Sequence, residues 1–148
     1  MKKLFILLLL IPTLACTTAN KKLVVNPTEI TAYEEAENYL KNGIYYLAAE
    51  KFENIEENYP FTKEAEDGLV MAAYSHYKAK DYEDSLRVID YFLISNPISV
   101  NSEYMYYLRG LNYFSMITNQ KRGRDVVEKA QMAFRDLLVR YPNSIYRK

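Results

Sequence analysis

The chain has little of what catalytic and metal-binding sites are usually built from. Its 148 residues include one cysteine, one histidine, four scattered glycines and no tryptophan. A single cysteine excludes an internal disulfide and a cysteine-rich zinc site, and the scattered glycines form no phosphate-binding loop. No set of catalytic residues stands out. We therefore expect a protein that is not an enzyme and binds no metal.

The chain also lacks an excess of either charge, with 19 basic and 19 acidic residues. Without Lys2 and Lys3, which lie in a segment that we expect to be removed, 17 basic residues face 19 acidic ones, a net charge of −2. Tight binding to nucleic acid needs a basic excess. We therefore expect no nucleic-acid partner.

The N-terminus has the organisation of a secretory signal. Lys2 and Lys3 precede an unbroken apolar run over 4–11, and small Ala15 stands directly before Cys16. The apolar run is shorter than the roughly 20 residues needed to span a bilayer. The sequence therefore divides into a signal peptide at 1–15, a tether at 16–28 and a helical domain at 29–148.

The sole cysteine lies in "TLAC", which resembles the lipobox of bacterial lipoproteins, although Thr13 stands where that family favours leucine. The resemblance implies an N-acyl chain and an S-diacylglycerol lipid on Cys16, with no other cofactor. Because Thr17 rather than aspartate follows the cysteine, the family's sorting rules imply the inner leaflet of a Gram-negative outer membrane. An ordinary cleaved signal followed by a chance cysteine is the alternative.

Three prolines mark an internal repeat. Pro60, Pro97 and Pro142 are 37 and 45 residues apart, a period typical of stacked helical hairpins. Apolar residues between them recur at three- and four-residue steps, which predicts helices. We expect six helices. The first three span about 29–42, 45–58 and 63–79, the fourth follows residue 81 and ends near 95, the fifth spans about 102–117, and the sixth follows residue 125 and ends near 140.

Local signals predict how several of these helices begin and end. Either Asn26 or Thr31 is expected to cap the first helix, Asp81 the fourth, and Asp125 with Glu128 the sixth. Gly43 is expected to end the first helix in the left-handed conformation.

The hairpins have the spacing of tetratricopeptide repeats, which predicts an all-α fold of about three helix pairs forming a short superhelix. The third repeat departs from the pattern, because Gly110 and Ala130 are 20 residues apart where Ala36 and Ala48 are 12 apart. We expect the eight extra residues to form a polar loop within 116–125. An unrelated helical bundle is the alternative. The matching positions are Ala36, Tyr39, Gly43, Ala48, Phe52, Ile55 and Pro60; Ala73, Tyr82, Ser85, Ile89, Phe92 and Pro97; and Tyr106, Gly110, Tyr113, Ala130, Phe134, Leu137 and Pro142.

In such arrays the first helix of each pair lines a concave surface, and here that surface is rich in tyrosine. Tyrosine offers a broad contact area with few rotatable bonds, so the stripe suits an extended peptide with apolar or aromatic side chains. For each residue of the stripe, packing against neighbouring helices is the alternative to peptide binding. His76, which is not part of the stripe, is expected to be packed or in a buried hydrogen bond. The candidate peptide-binding residues are Tyr33, Leu40, Tyr74, Tyr77, Tyr107, Leu111 and Phe114.

Long stretches resemble the BamD (ComL/YfiO) family of outer-membrane protein assembly factors. They are "AENYLKNGIYYLAAEKFENIEENYPF", "VMAAYSHYKAKDYEDSLRVIDYFLISNP", "EYMYYLRGLNYF" and "RGRDVVEKAQMAFRDLLVRYPNSIY". The resemblance implies a lipid-anchored periplasmic component of the β-barrel assembly (BAM) machinery. Its partners would be a BamA-like barrel protein, other BAM subunits and unfolded outer-membrane β-barrel proteins.

The likeness covers about 33–146, whereas members of that family have five repeats. The sequence stops just after Tyr146, where a fourth repeat would begin, so we expect a shortened member with about three repeats. The alternative function is another cell-envelope repeat lipoprotein, a scaffold associated with Tol–Pal components or peptidoglycan enzymes.

Overall fold

The computed structural model describes residues 28–120 and 123–147, and this part of the chain is helical without strands. Cys16, the signal peptide and the tether to residue 27 lie outside the described residues. The helices are α1 (Glu29–Lys41), α2 (Tyr45–Asn58), α3 (Lys63–Ala79), α4 (Tyr82–Ser95), α5 (Ser102–Gln120) and α6 (Arg124–Arg140).

The six helices form three consecutive hairpins. Each helix packs on the next one in the chain, and α3 also contacts both α1 and α5. The first helices of the hairpins therefore lie side by side, as in a repeat array. This arrangement confirms the predicted all-α fold of three tetratricopeptide-like pairs.

The repeat positions form the core. Ala36, Ala48 and Phe52 are completely buried in the first hairpin, as are Ala73 and Ile89 in the second. Small residues on facing helices let the backbones approach, and the larger side chains fill the remaining space. The hydrophobic spacing thus specifies the contacts between helices as well as the helices themselves.

A buried polar link joins three helices in the middle of the array. The Asn112 side-chain amide donates to Ser85 Oγ at 2.9 Å, and Ser85 Oγ donates to the Ala73 carbonyl at 2.8 Å. Asn112 and Ser85 are both fully buried. Because buried polar groups are costly unless they are paired, this link fixes the register of α3, α4 and α5.

The expected helix ends are partly confirmed. Gly43 has φ +74° and follows α1, as predicted. Thr28, and not Thr31, is the N-cap of α1: its Oγ1 accepts from the Thr31 amide at 3.4 Å. Asn26 itself lies outside the described residues.

Asp81 occupies the predicted cap position of α4, but its side chain makes no capping hydrogen bond. Its Oδ2 lies 3.5 Å from Nδ1 of buried His76. The carboxylate is thus directed towards the preceding helix.

Two predictions around the third hairpin were wrong. Gly123 is the N-cap of α6, so Asp125 lies inside the first turn and does not form a capping box with Glu128. In addition, α5 continues to Gln120, so 116–120 are helical and not part of a loop. Packing stabilises the longer α5, because its Met116 and Ile117 lie in one apolar cluster with Val126 of α6 and Tyr82 of α4.

Candidate functional site

The predicted stripe lies on the first helices of the hairpins, and its members on α1 and α3 are half-buried. All four of them pack against the main core. The Tyr33 ring meets the Phe52 ring edge-on, with centroids 5.2 Å apart. Packing therefore accounts for part of the surface of these side chains, and the rest faces solvent. The four residues are Tyr33, Leu40, Tyr74 and Tyr77.

Two phenols on the first helices of the hairpins, those of Tyr33 and Tyr104, have a raised pKa. Burial first, and then Asp67 and Glu37, raise the pKa of Tyr33. Burial likewise raises the pKa of Tyr104 on α5. These hydroxyls remain protonated at neutral pH and can donate hydrogen bonds to a ligand.

On α5 and α6 the structure brings three predicted residues into one cleft, which we call the aromatic cleft. Its volume is about 370 Å³. Tyr107, Leu111 and Phe114 form one wall of the cleft, and α6 with the segment after it forms the other. The remaining lining residues are Phe134, Leu137, Leu138, Tyr146 and Arg147.

Stacked rings shape the aromatic cleft. Tyr107 and Tyr146 are nearly parallel, with an interplanar angle of 8° and centroids 4.3 Å apart. The centroid of the Phe134 ring lies 6.4 Å from that of Tyr107, and the centroid of Tyr104 lies 6.1 Å from that of Tyr146. Aromatic pairs in such arrangements add stability beyond the burial of their area, so the wall is preorganised.

Sequence reasoning missed Tyr146, which the fold places on Tyr107. The residues four positions after the other repeat prolines are Glu64 and Asn101, so comparison of the repeats gives no signal for an aromatic residue there. Its position depends on the backbone after α6, where the Ile145 amide donates to Glu103 Oε1 at 3.1 Å.

A second, polar cleft of about 600 Å³ lies between α2 and α4. These are the second helices of their hairpins, whereas the stripe lies on the first helices. His76 Nε2 lies 2.8 Å from Glu53 Oε1, and Arg87 Nη2 donates to both Glu53 oxygens at 3.0 and 2.9 Å. His76 is only 5% exposed, which confirms that it is buried in a hydrogen bond.

The same contacts control the charge of Glu53. Burial raises its pKa, but hydrogen bonds from His76 and Arg87 outweigh burial and hold the pKa of Glu53 below its ordinary value. This cluster is a structural ion pair that joins α2, α3 and α4.

The described part of the chain contains neither a cluster of metal-ligating side chains nor a membrane-spanning helix. No group of three or more His, Cys, Asp or Glu side chains within 28–120 and 123–147 is placed to hold a metal ion. In that same part of the chain, no helix combines the length and the apolar character needed to cross a bilayer.

The fold and the aromatic cleft together define a class of protein: a helical-hairpin repeat array with an aromatic cleft on its last hairpin. Residues 26–148 match the model of the YfiO family, described as outer membrane lipoproteins. The chain belongs to this family and is thereby associated with the outer membrane.

Curated relatives carry a more specific name. The chain is similar to proteins named outer membrane protein assembly factor BamD from Caulobacter vibrioides (28% identity over 81% of this chain), Vibrio cholerae (33% over 82%) and Neisseria meningitidis serogroup B (31% over 77%). The matches cover 39%, 54% and 46% of those relatives, so the chain spans about half of their length.

Proposed function

We propose that this chain is a component of the machinery that assembles β-barrel proteins in the outer membrane. In this proposal, acyl chains on Cys16 hold it on the periplasmic side of that membrane. It binds unfolded β-barrel clients and acts together with a BamA-like barrel protein and other subunits. Family membership and the names of the relatives support this role over that of a Tol–Pal or peptidoglycan-enzyme scaffold.

The observation that carries the proposal is the aromatic cleft. Its walls are aromatic and aliphatic, and Arg147 stands among its lining residues. The guanidinium donates one hydrogen bond to the Pro142 carbonyl at 3.1 Å, and an arginine side chain has five N–H donors. The cleft can therefore take an aromatic side chain while Arg147 pairs with the carboxylate at the end of a peptide.

A peptide titration tests this binding mode. We expect a peptide that ends in a free aromatic residue to bind the protein, and Phe114→Ala to weaken binding about tenfold, which corresponds to about 1.4 kcal/mol. Phe114 is 54% exposed, so its truncation should leave the fold intact. Tyr46→Ala is the matched control, because Tyr46 is 67% exposed and lies at the polar cleft.

A C-terminally amidated peptide separates the two parts of the proposed site. It should bind more weakly than the free acid, and the difference should disappear in Arg147→Gln. Equal affinities of the parent protein, Phe114→Ala and Tyr46→Ala would contradict peptide binding in the cleft.

The anchor and the partners need separate measurements. Mass spectrometry of the mature protein should find acyl chains on Cys16, and Cys16→Ser should release the protein from membranes. Affinity purification from native envelopes should recover a BamA-like protein and β-barrel precursors. Recovery of Tol–Pal components without them would favour the alternative scaffold.

A further inference from the structure

The large apolar side chains most exposed to solvent are not scattered over the surface. Three of them, Phe61, Ile98 and Val100, are 103%, 97% and 89% exposed. We call these three residues the apolar edge. They lie in the two loops that connect consecutive hairpins, α2 to α3 and α4 to α5. The next most exposed in the described residues are Ile94, Ile145 and Val139.

Hydrogen bonds show that the connecting loops share one edge of the array. Ser99 donates to Glu66, and Asn101 donates to Asp67 at 3.1 Å, so the α4–α5 loop lies against the first turn of α3. Ile94 and Val139 lie in the last turns of α4 and α6, which end at this edge.

The start of α1 lies at the same edge. In an antiparallel hairpin the first turn of α1 lies beside the end of α2, and Ala32 of α1 and Tyr59 after α2 do line one surface hollow. The chain between Cys16 and α1 therefore enters the domain next to the apolar edge. Ile30 in the first turn of α1 is itself 56% exposed.

The opposite edge has a different character. Its described turns contain Asn42 and Gly43 between α1 and α2, and Lys80 and Asp81 between α3 and α4. The apolar residue in these turns is Ile44, which is 48% exposed. The most exposed apolar side chains are thus concentrated on the side from which the tether departs.

Phe61 is held outward by its backbone. It has φ +67°, a conformation that bulky residues rarely adopt. The Phe61 ring does not pack in the core, since it is fully exposed. Single protruding side chains on successive loops do not form one large contiguous apolar patch of the kind that marks a protein interface, but they suit insertion among lipid headgroups.

We infer that the apolar edge inserts into the surface of the lipid bilayer that carries the chain's own anchor. This inference rests on the proposed anchoring through Cys16. The 12 peptide units between Cys16 and Thr28 can reach at most about 40 Å, so an anchored domain stays within reach of the headgroups. Apolar and aromatic side chains at the interface then orient the domain relative to the membrane.

The charged residues at this edge indicate which lipid headgroups the apolar edge can contact. Glu57, Glu64 and Glu66 accompany the single exposed Lys63 near the α2–α3 loop. An acidic surrounding does not attract anionic headgroups. The contact should therefore form on zwitterionic vesicles and change little with salt.

Fluorescence quenching on vesicles tests the inference without relying on acylation. The chain from residue 16 onward, with Cys16→Ser and an N-terminal hexahistidine tag, is held on phosphatidylcholine–phosphatidylethanolamine vesicles by a nickel-chelating lipid. Because Cys16 is the only cysteine, Ile98→Cys provides a unique site for an environment-sensitive dye. Ile44→Cys at the opposite edge is the matched control.

We expect brominated lipids to quench the dye at position 98 at least twofold and to leave the dye at position 44 unchanged. Adding Phe61→Ser and Val100→Ser should reduce the quenching at position 98, and circular dichroism should show an unchanged helix content. Equal quenching at positions 98 and 44 would overturn the inference. If the dye at position 98 stays in water on vesicles, and the same position crosslinks to a protein in native envelopes, the inference is overturned. The apolar edge would then contact a protein and not lipid.

Failure of this test is distinguishable from failure of the proposed anchor. The histidine tag supplies the attachment, so the quenching result does not depend on lipid at Cys16. Absence of acyl chains in the mass spectrum would refute the anchor alone.

Discussion

Replacing Gly110 by alanine tests the closest approach between α5 and α6. A Cβ atom at position 110 would lie 2.6 Å from Cδ1 and 2.7 Å from Cζ of the Phe134 ring. Ordinary contacts between carbon atoms are 3.5–4.0 Å. The ring would have to move by about 1 Å, and its neighbour Tyr107 borders the aromatic cleft.

Two effects of opposite sign determine the result. Overpacking of this kind typically costs about 1–3 kcal/mol. Alanine gains about 1 kcal/mol over glycine in a helix interior. We therefore expect Gly110→Ala to lower the free energy of unfolding by up to about 2 kcal/mol. In a Phe134→Ala background the ring is gone, so the same substitution should stabilise by about 1 kcal/mol.

Urea denaturation followed by circular dichroism measures both values in one double-mutant cycle. With slopes of about 1–3 kcal/mol per molar urea, a change of 1 kcal/mol shifts the midpoint by about 0.3–1 M. The coupling between the two sites should be about 1–3 kcal/mol. If Gly110→Ala stabilises the protein equally in both backgrounds, the ring does not occupy the space beside position 110 and the reasoning is refuted.

Three further predictions concern other parts of the fold. Thr62 accepts a hydrogen bond from the Ala65 amide at 3.1 Å as the N-cap of α3, so Thr62→Ala should lower the free energy of unfolding by about 1 kcal/mol in urea denaturation, whereas Thr62→Ser should not. Ser85→Ala removes the middle of the buried polar link and should cost about 1–3 kcal/mol, with amide exchange accelerating in α4. Because its pKa is lower in the folded state than the ordinary 4.5, Glu53 stabilises the fold above that pH and loses this contribution as pH falls through the lowered pKa. Stability should therefore fall below about pH 4.5, and the fall should be smaller in Glu53→Gln; equal acid profiles would contradict this role.

The sequence predicts the helices well because the apolar spacing and the core contacts have the same origin. Ala36 and Phe52 mark both a repeat position and a fully buried contact. The ends of helices are less predictable, since several polar residues compete for one cap. Thr28 caps α1, while Asp81 turns towards His76 instead of its own helix.

The candidate site is predictable only where it belongs to the repeat. Tyr107, Leu111 and Phe114 follow from their positions on the first helix of a hairpin, and the structure brings them together. Tyr146 follows from the path of the chain after α6, which the repeat pattern does not encode. The partner of Asn112, Ser85, replaces the alanine of the other hairpins, and only tertiary contact shows that its hydroxyl is used.

Because Tyr146 stacks on Tyr107, it competes with any ligand ring for the same face of Tyr107. A ligand ring that needs the face of Tyr107 must displace a tyrosine from the same chain, which is present at a high effective concentration. The measured affinity is then the intrinsic affinity reduced by the fraction of molecules in which the stack is open. In the proposed binding mode, a change that weakens the stack but leaves Arg147 in place would tighten binding without adding any contact to the ligand.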